Sequence, residues 1–273
     1  MRRTINGKRI AVTQSNYVPW KGYFDVIGMV DEFVLYEDVQ YTRRDWRNRN
    51  RVKTPQGTIW LTIPICSAGR RSQRICDARS VDSRWNKRHW DTLQHHYRRA
   101  RFFTEYKDVF EALYLGCEEV MLSRINYRFL TRICKLMSIS TPITFSSDYR
   151  TYGNRTERLV SICKQAGATE YVTGPSAKAY LEEDLFEQEG IRVHHMDFSG
   201  YPEYEQVHPP FEHAVSIVDL LFNEGPRARR YMKIGHNGRP TSPCFNESME
   251  INGMPEPAAD SFLFGKTSHS RPV

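Results

Sequence analysis

The sequence predicts an α/β fold built on a mainly parallel sheet, and three observations carry that prediction. Short apolar runs at residues 10–12 and 33–36 enclose a segment whose apolar side chains recur at helical spacing. A second alternation of strand and helix patterns covers residues 154–222, and residues 84–137 between them show helical patterns alone. Strands that alternate with helices favour a parallel sheet flanked by helices, a Rossmann-like arrangement, here with a helical insertion.

The remaining elements follow from the same patterns. The β-branched and aromatic residues at 58–65 predict a buried strand. Either Asn154 or Thr156 would cap the helix that follows it. In chain order, further helices are expected at residues 85–97, 102–114, 118–137, 157–166, 177–181 and 214–222, and further strands at 141–145, 170–173 and 191–196.

Periodicity also divides the chain. Residues 1–226 are predicted to form one α/β domain that includes the helical block at about 84–137. Gly225 and Pro226 are a strong stop signal for the last expected helix. Residues 227–273 show little periodicity and are interpreted as a C-terminal extension.

The amino-acid composition bears on the expected binding partners and on the expected cellular location of the protein. The net charge of +7 and a pI of about 9.1 favour an anionic partner, although an ordinary basic surface would give the same balance. The six cysteines form no C-x-x-C pair, so we expect neither a disulfide framework nor a metal site. No P-loop signature is present, and we expect no cofactor. Residues 1–6 show no apolar core typical of a signal peptide, and no apolar run approaches the length that crosses a membrane, so the expected location is cytoplasmic.

The loop after the first predicted strand is the first candidate site. It precedes a helix, whose free N–H groups favour an anion. Its Pro and Gly loosely match a nucleotidyltransferase loop, but Lys21 and Tyr23 flank the glycine where that pattern has histidines. A tight turn packed with aromatic side chains is the alternative interpretation. The candidate substrate-binding residues here are Gln14, Asn16, Tyr17 and Trp20.

A basic segment at residues 38–53 is the second candidate site. If it is extended, its guanidinium groups and its amide side chains lie on opposite sides. Guanidinium groups bind phosphates and carboxylates bidentately, although a solvated basic face is the simpler alternative. Asp38 is a candidate catalytic base. The candidate substrate-binding residues are Gln40, Tyr41, Arg44, Arg47, Asn48, Arg49, Asn50 and Lys53.

Five further residues in three segments complete the candidate site. His89 lies on an expected helix, where a structural role competes with that of a catalytic acid or base. Gly174 and Ser176 follow a predicted strand, where glycine permits close approach of a ligand. Tyr204 and Gln206 lie in a Pro/Tyr loop at residues 201–210 that could close over a pocket.

Several of these motifs together resemble the WbqC-like family. The resemblance rests on residues 14–24, on residues 38–41 and 44–50, and on residues 171–180, 201–206 and 216–225, in that order along the chain. It spans roughly residues 10–226. The family usually has His-Gln-Pro where this chain has Thr13-Gln14-Ser15, so any task of that histidine is missing here or is done differently.

The resemblance implies a bacterial protein of surface-polysaccharide biosynthesis, such as that of O-antigen. It also implies a transferase that forms an amide or ester by moving glycine or another acyl group onto a sugar or other small acceptor. The expected partner is a small or carrier-bound substrate with a phosphate or carboxylate, and a homodimer is left open. The alternatives are an RNA-binding or aminoacyl-tRNA-using protein, suggested by the Arg and aromatic residues, and an ATP-dependent ligase or nucleotidyltransferase.

Overall fold

Seven strands and seven helices organise the part of the chain that the computed structural model describes, residues 7–70 and 72–235. The strands are β1 (Lys8–Thr13), β2 (Glu32–Leu35), β3 (Arg49–Thr54), β4 (Gly57–Thr62), β5 (Ile143–Phe145), β6 (Ala168–Thr173) and β7 (Arg192–His195). The helices are α1 (Lys21–Met29), α2 (Trp85–Tyr97), α3 (Phe103–Leu115), α4 (Leu122–Leu136), α5 (Arg155–Gln165), α6 (Glu183–Glu187) and α7 (Ile217–Glu224).

Five strands form one parallel sheet in the order β5-β2-β1-β6-β7. The chain builds the sheet outward from β1 on one side and then returns to place β6 on the other side. The strand order therefore reverses between β1 and β6, the place where open α/β sheets commonly bind ligands. This arrangement confirms the predicted Rossmann-like α/β fold.

Successive side chains along each strand point to opposite faces of the sheet, so buried apolar side chains lie on both faces. Ala11, Phe33 and Leu35 pack with α1, α7 and the helices of the α2–α4 block. Ile10 and Val12 point to the opposite face and pack against α5 and α6. Because both faces are covered by helices, the central residues of β1 and β2, 10–12 and 33–35, are continuously apolar, as in most parallel strands.

The longer helices lie close to their predicted positions, and local capping explains several of their ends. The short helix predicted at residues 177–181 is instead a 3₁₀ turn at Pro175–Ala179. Asn154 caps α5 by accepting hydrogen bonds from the backbone N–H groups of Thr156 and Glu157. Ser216 caps α7 in the same way. The helix predicted from residue 214 consequently begins at Ile217. Helix α6 was not predicted from the sequence.

One predicted element differs in kind from the structure. Residues 58–65 were expected to form a buried strand, but β4 pairs with β3 in an antiparallel hairpin that is separate from the main sheet. Ile59 and Trp60 are exposed on this hairpin. The expectation of burial was wrong, because β-branched and aromatic side chains signal a strand without showing which neighbour covers it.

The first residues of the predicted extension pack against the domain. Residues Gly225–Tyr231 and Lys233–Gly235 form 3₁₀ turns, and Met232 and Ile234 are buried. The buried carboxylate of Asp25 on α1 accepts hydrogen bonds from the backbone N–H groups of residues 233 and 234. The rest of the extension, residues 236–273, lies outside the described residues. Over residues 7–70 and 72–235, no helix is both long and apolar enough to cross a lipid bilayer.

Candidate binding cavity beside the first loop

The loop after β1, residues 14–20, is held in a strained conformation by side chains from elsewhere. Val18 has a φ of 36°, which a β-branched residue rarely adopts. Its carbonyl oxygen accepts hydrogen bonds from Asn50 Nδ2 at 3.0 Å and Ser216 Oγ at 2.7 Å. Asn50 Nδ2 also lies 3.1 Å from the Tyr17 carbonyl oxygen. A strained backbone of this kind persists only where surrounding contacts hold it in place, and such strain is concentrated at functional sites.

A cavity of about 270 Å³ lies where this loop meets the start of β3 and the segment before α7. Two indole rings and two carboxamides dominate its wall. The lining residues are Asn16, Pro19, Trp20, Trp46, Asn50, His213 and Ala214. Apolar surface with a few polar groups is typical of a small-molecule site.

A buried polar network supports the wall behind Asn16. Arg47 donates a hydrogen bond to Asn16 Oδ1, so the amide is oriented with its NH₂ group away from the guanidinium. Behind the loop, Glu37 accepts hydrogen bonds from the backbone N–H of Ser15 at 2.9 Å and from its hydroxyl at 3.2 Å. Asn126 links the first loop to the segment that carries Arg47, because its Nδ2 donates to Ser15 Oγ and to the Arg47 carbonyl oxygen, both at 2.9 Å. Burial raises the pKa of Glu37, and the contacts from Ser15 and Arg47 oppose that rise.

His213 is the titratable member of the wall. Among the described residues that line the cavity, no other side chain titrates in the physiological range. His213 is an exposed residue. Loss of part of its hydration, followed by the nearby positive charge of Lys21, lowers the pKa of His213, and the carboxylates of Glu203 and Glu212 oppose that shift. Its imidazole is therefore neutral at pH 7 and can accept a proton. Sequence reasoning did not single out His213, because it lies between a predicted loop and a predicted helix with no motif around it.

The profile of the WbqC-like protein family matches residues 14–231, a range that contains every residue of the cavity wall. The chain belongs to this family. It is also similar to a protein of Mycobacterium tuberculosis (strain ATCC 25618 / H37Rv) named Uncharacterized protein Rv1507c. The two are 47% identical over 226 residues, which are 83% of this chain and 98% of the relative. No solved structure matches the chain.

In this WbqC-like protein, the predicted site residues fall into separate groups. Asn16, Trp20 and Asn50 line the cavity, and Arg47 supports it. Gln14 lies at the start of the same loop, where its carbonyl oxygen accepts a hydrogen bond from the Tyr23 hydroxyl at 3.0 Å.

Tyr17 and His89 lie together in the core. His89 is 6% exposed, and its Nε2 lies 3.2 Å from the Thr62 carbonyl oxygen. Since a carbonyl only accepts, Nε2 carries the proton, and Nδ1 accepts from the Tyr17 hydroxyl at 2.8 Å. Tyr114 must then donate to the Tyr17 oxygen, 3.2 Å away. Both ring nitrogens of His89 are thus engaged inside the protein, so the environment favours a structural role over the predicted catalytic one.

Asp38 lies at the carboxyl end of β2, apart from the cavity wall. Its carboxylate forms an ion pair with Arg158 of α5 and accepts a hydrogen bond from Ser146 Oγ at 2.5 Å. These contacts join the loop after β2 to α5 and to the segment after β5. They favour the interpretation in which Asp38 neutralises an arginine.

Four of the predicted binding residues make internal contacts instead. Asn48 donates to the Ile63 carbonyl oxygen at 2.8 Å, and the buried ammonium of Lys53 donates to a carbonyl in the Pro/Tyr loop. Tyr204 and Gln206 are buried and donate to Asp219 at 2.7 and 2.9 Å. The Pro/Tyr loop expected to act as a lid thus packs its polar side chains into the core around a fully buried carboxylate.

The remaining predicted residues lie near the surface or outside the cavity wall. Gln40 is exposed, whereas Tyr41 is buried, which raises its pKa to about 12. Arg44 is exposed in a left-handed turn with a φ of 56°, and Arg49 donates to its carbonyl oxygen. Gly174 and Ser176 follow β6 on the far side of the strand-order reversal.

The N-terminus of α1, where an anion was expected, is covered by an aromatic ring. A Cβ at Gly22 would lie 2.5 Å from the indole of Trp20, so this glycine is required for packing. At Gly174, by contrast, the nearest atom to an added Cβ is in the Phe198 ring at 3.7 Å, an ordinary contact. Neither glycine therefore shows the open backbone that would let a phosphate group approach closely. Within the described residues, no group of three or more His, Cys, Asp or Glu is placed to hold a metal ion.

Proposed function

We propose that this WbqC-like protein is a biosynthetic transferase that forms an amide or ester in the cavity beside the first loop. It would move an acyl or aminoacyl group from an activated donor to an amino or hydroxyl group of a sugar or other small acceptor. The observation that carries the proposal is the placement of His213, a neutral imidazole, in the same wall as the oriented amide of Asn16.

His213 supplies the general base that acyl transfer needs. The acceptor's amine or hydroxyl attacks the acyl carbon, a new C–N or C–O bond forms, and the proton leaves for the imidazole. The bond between the acyl carbon and the donor's leaving group then breaks, and the leaving group takes that proton. No net proton is gained by the protein. A base with a lowered pKa is present in its accepting form at pH 7, which suits the first of these steps.

Asn16 supplies a hydrogen-bond donor for the carbonyl oxygen of the donor. Its Oδ1 is engaged by Arg47, and its Nδ2 has no partner among the described residues. A preoriented N–H group directed at a developing oxyanion contributes roughly 10² to 10³ in rate. The indoles of Trp20 and Trp46 offer apolar faces on which the carbon face of a sugar ring can pack.

The test begins with a thermal-shift panel of acyl thioesters of coenzyme A and of phosphopantetheine, glycine, aminoacyl-tRNA and nucleotide-sugars. A ligand at about 100 times its Kd adds roughly 2.7 kcal/mol to stability, which is readily measured. Combinations of the ligands that shift the melting temperature are then incubated together and searched by mass spectrometry for the amide or ester.

His213→Gln separates catalysis from binding in that assay. We expect this variant to keep the thermal shift and to lose most product formation, because the glutamine amide cannot accept the proton. The variant His89→Gln serves as a comparison, since a structural histidine affects stability more than the pH profile of the reaction. Product formation by His213→Gln at the wild-type rate would contradict the proposal.

A further inference from the structure

The outer face of the β3–β4 hairpin carries an array of arginine and tryptophan side chains beside the cavity. Arg51 and Trp60 lie directly opposite each other on the paired strands. The Arg49 guanidinium lies 4.0 Å from the centroid of the Trp60 ring. Trp46 lies 5.3 Å from Trp60 between ring centroids, with the planes tilted by 44°. The guanidinium of Arg51 is 5.9 and 5.7 Å from the two indoles.

This face is accessible and positively charged. Trp46 and Trp60 are 38% and 43% exposed, which is unusual for such large apolar rings. No carboxylate among the described residues forms an ion pair with Arg49 or Arg51. The nearest acid in the sequence, Asp45, faces Arg47 at 3.8 Å. Arg49 and Arg51 are half-buried and have no acidic partner among the described residues, so the array combines uncompensated positive charge with exposed aromatic rings.

We propose that the outer face of this hairpin docks single-stranded RNA. Unpaired bases stack on indole rings and on guanidinium planes, while arginines contact the phosphates. The exposed ring of Trp60 would take one base, and the guanidinium groups of Arg44, Arg49 and Arg51 would hold the adjoining backbone. The two rings and the guanidinium groups of Arg49 and Arg51 lie side by side, an arrangement that suits base stacking next to phosphate contacts.

The positive charge of this face favours RNA as its partner over a second copy of the chain. The protein carries a net charge of +7, so two such faces brought together would repel. A small anion alone would use the guanidinium groups but gain nothing from the exposed rings. Paired duplex RNA offers phosphates but hides its base faces, so it cannot stack on Trp60.

The proposal stands apart from the transferase activity, although the two sites meet at Trp46. That indole lines the cavity and also flanks the outer face. An RNA end docked on the hairpin would therefore lie next to the cavity. Trp60 and Arg51 do not line the cavity, so their substitution tests the docking face without altering the cavity wall.

The test is fluorescence anisotropy of the full-length protein with an end-labelled oligouridine RNA of about 12 nucleotides. Three phosphate contacts on a single strand give a slope of about −2 in log K against log salt, or roughly 20-fold weaker binding at 200 mM than at 50 mM salt. We expect Trp60→Ala to weaken binding roughly 10-fold or more through lost stacking. Trp60→Phe should restore most of the affinity, and Arg51→Ala should lower the salt slope by about 0.7.

Matched controls remove an exposed ring or an exposed arginine elsewhere. Tyr152 is 65% exposed, and the Arg192 side chain is 83% exposed on β7. We expect Tyr152→Ala and Arg192→Ala to bind the oligonucleotide as the wild type does.

Three results would overturn the proposal. The first is that the oligouridine does not bind at 50 mM salt. The second is that duplex RNA or heparin binds as tightly as the oligouridine and Trp60→Ala has no effect, and the third is that the protein is a dimer that Trp60→Ala converts to a monomer. Because Ala214→Phe fills the cavity and leaves this face intact, it should retain RNA, so failure of one site is distinguishable from failure of the other.

Discussion

The buried imidazole of His89 makes a quantitative prediction about pH and stability. Burial is the main cause of its lowered pKa, about 4, against an ordinary value of 6.5, and the contact with the Thr62 carbonyl only partly opposes it. The unfolded chain therefore binds a proton between these values that the folded protein does not bind. Stability is fully present above pH 6.5 and falls as the pH drops, until the loss levels off below about 4.

The size of the effect follows from the same two values. A shift of 2.5 units between 6.5 and about 4 corresponds to about 3 kcal/mol in full. Integration from pH 7.5 to 5 gives a loss of about 2 kcal/mol from this one residue.

The assay is urea unfolding of wild type and His89→Gln at several pH values from 7.5 to 5. Glutamine does not titrate, and its amide can donate to Thr62 and accept from Tyr17. All other titrating groups contribute to both proteins, so the difference between the two pH profiles isolates His89. We expect the wild type to lose about 2 kcal/mol more than the variant over this range. Parallel profiles would refute the reasoning and would mean that the imidazole is accessible to solvent.

Two further predictions concern the first loop. Asn50→Ala removes the donor to the Tyr17 and Val18 carbonyl oxygens and should cost roughly 2–4 kcal/mol in urea unfolding; a loss below 1 kcal/mol would show that the strained loop does not depend on this amide. Gly22→Ala forces a Cβ against Trp20 and should cost about 1–2 kcal/mol. The matched Gly174→Ala should be close to neutral, and equal effects of the two glycine substitutions would contradict the packing argument.

Most of the fold could be predicted, because apolar periodicity and helix capping depend on residues only a few positions apart in the sequence. The strand at residues 10–12, the helices over 85–97 and 157–166, and the parallel sheet all follow from apolar periodicity and capping. The hairpin differs, since the exposure of Trp60 depends on whether another element covers that face of β4, and the residues of β4 themselves do not show this. Pattern alone could not separate a buried strand from the open face of a hairpin.

The candidate site was predictable in part for the same reason. The loop after β1 could be found, because ligands commonly bind at the carboxyl ends of parallel strands. The amide of Asn50 could be found because it lies in the segment at residues 38–53, where amide and basic side chains alternate. His213 could not be found, since it reaches the wall only when the segment before α7 folds back onto the first loop. Tyr204 and Gln206 carry polar groups that suit a lid equally well, and only their contacts with the buried carboxylate of Asp219 show that they belong to the core.

Whether the substrate binds in this cavity is decided by a calorimetric titration of the panel's tightest ligand into wild type, Ala214→Phe and Ala179→Phe. Ala214 lines the cavity, whereas Ala179 is exposed in the turn after β6, so both variants add the same ring but at different places. The account predicts that Ala214→Phe abolishes binding while Ala179→Phe binds as the wild type does. Unchanged affinity in Ala214→Phe would show that the substrate binds elsewhere.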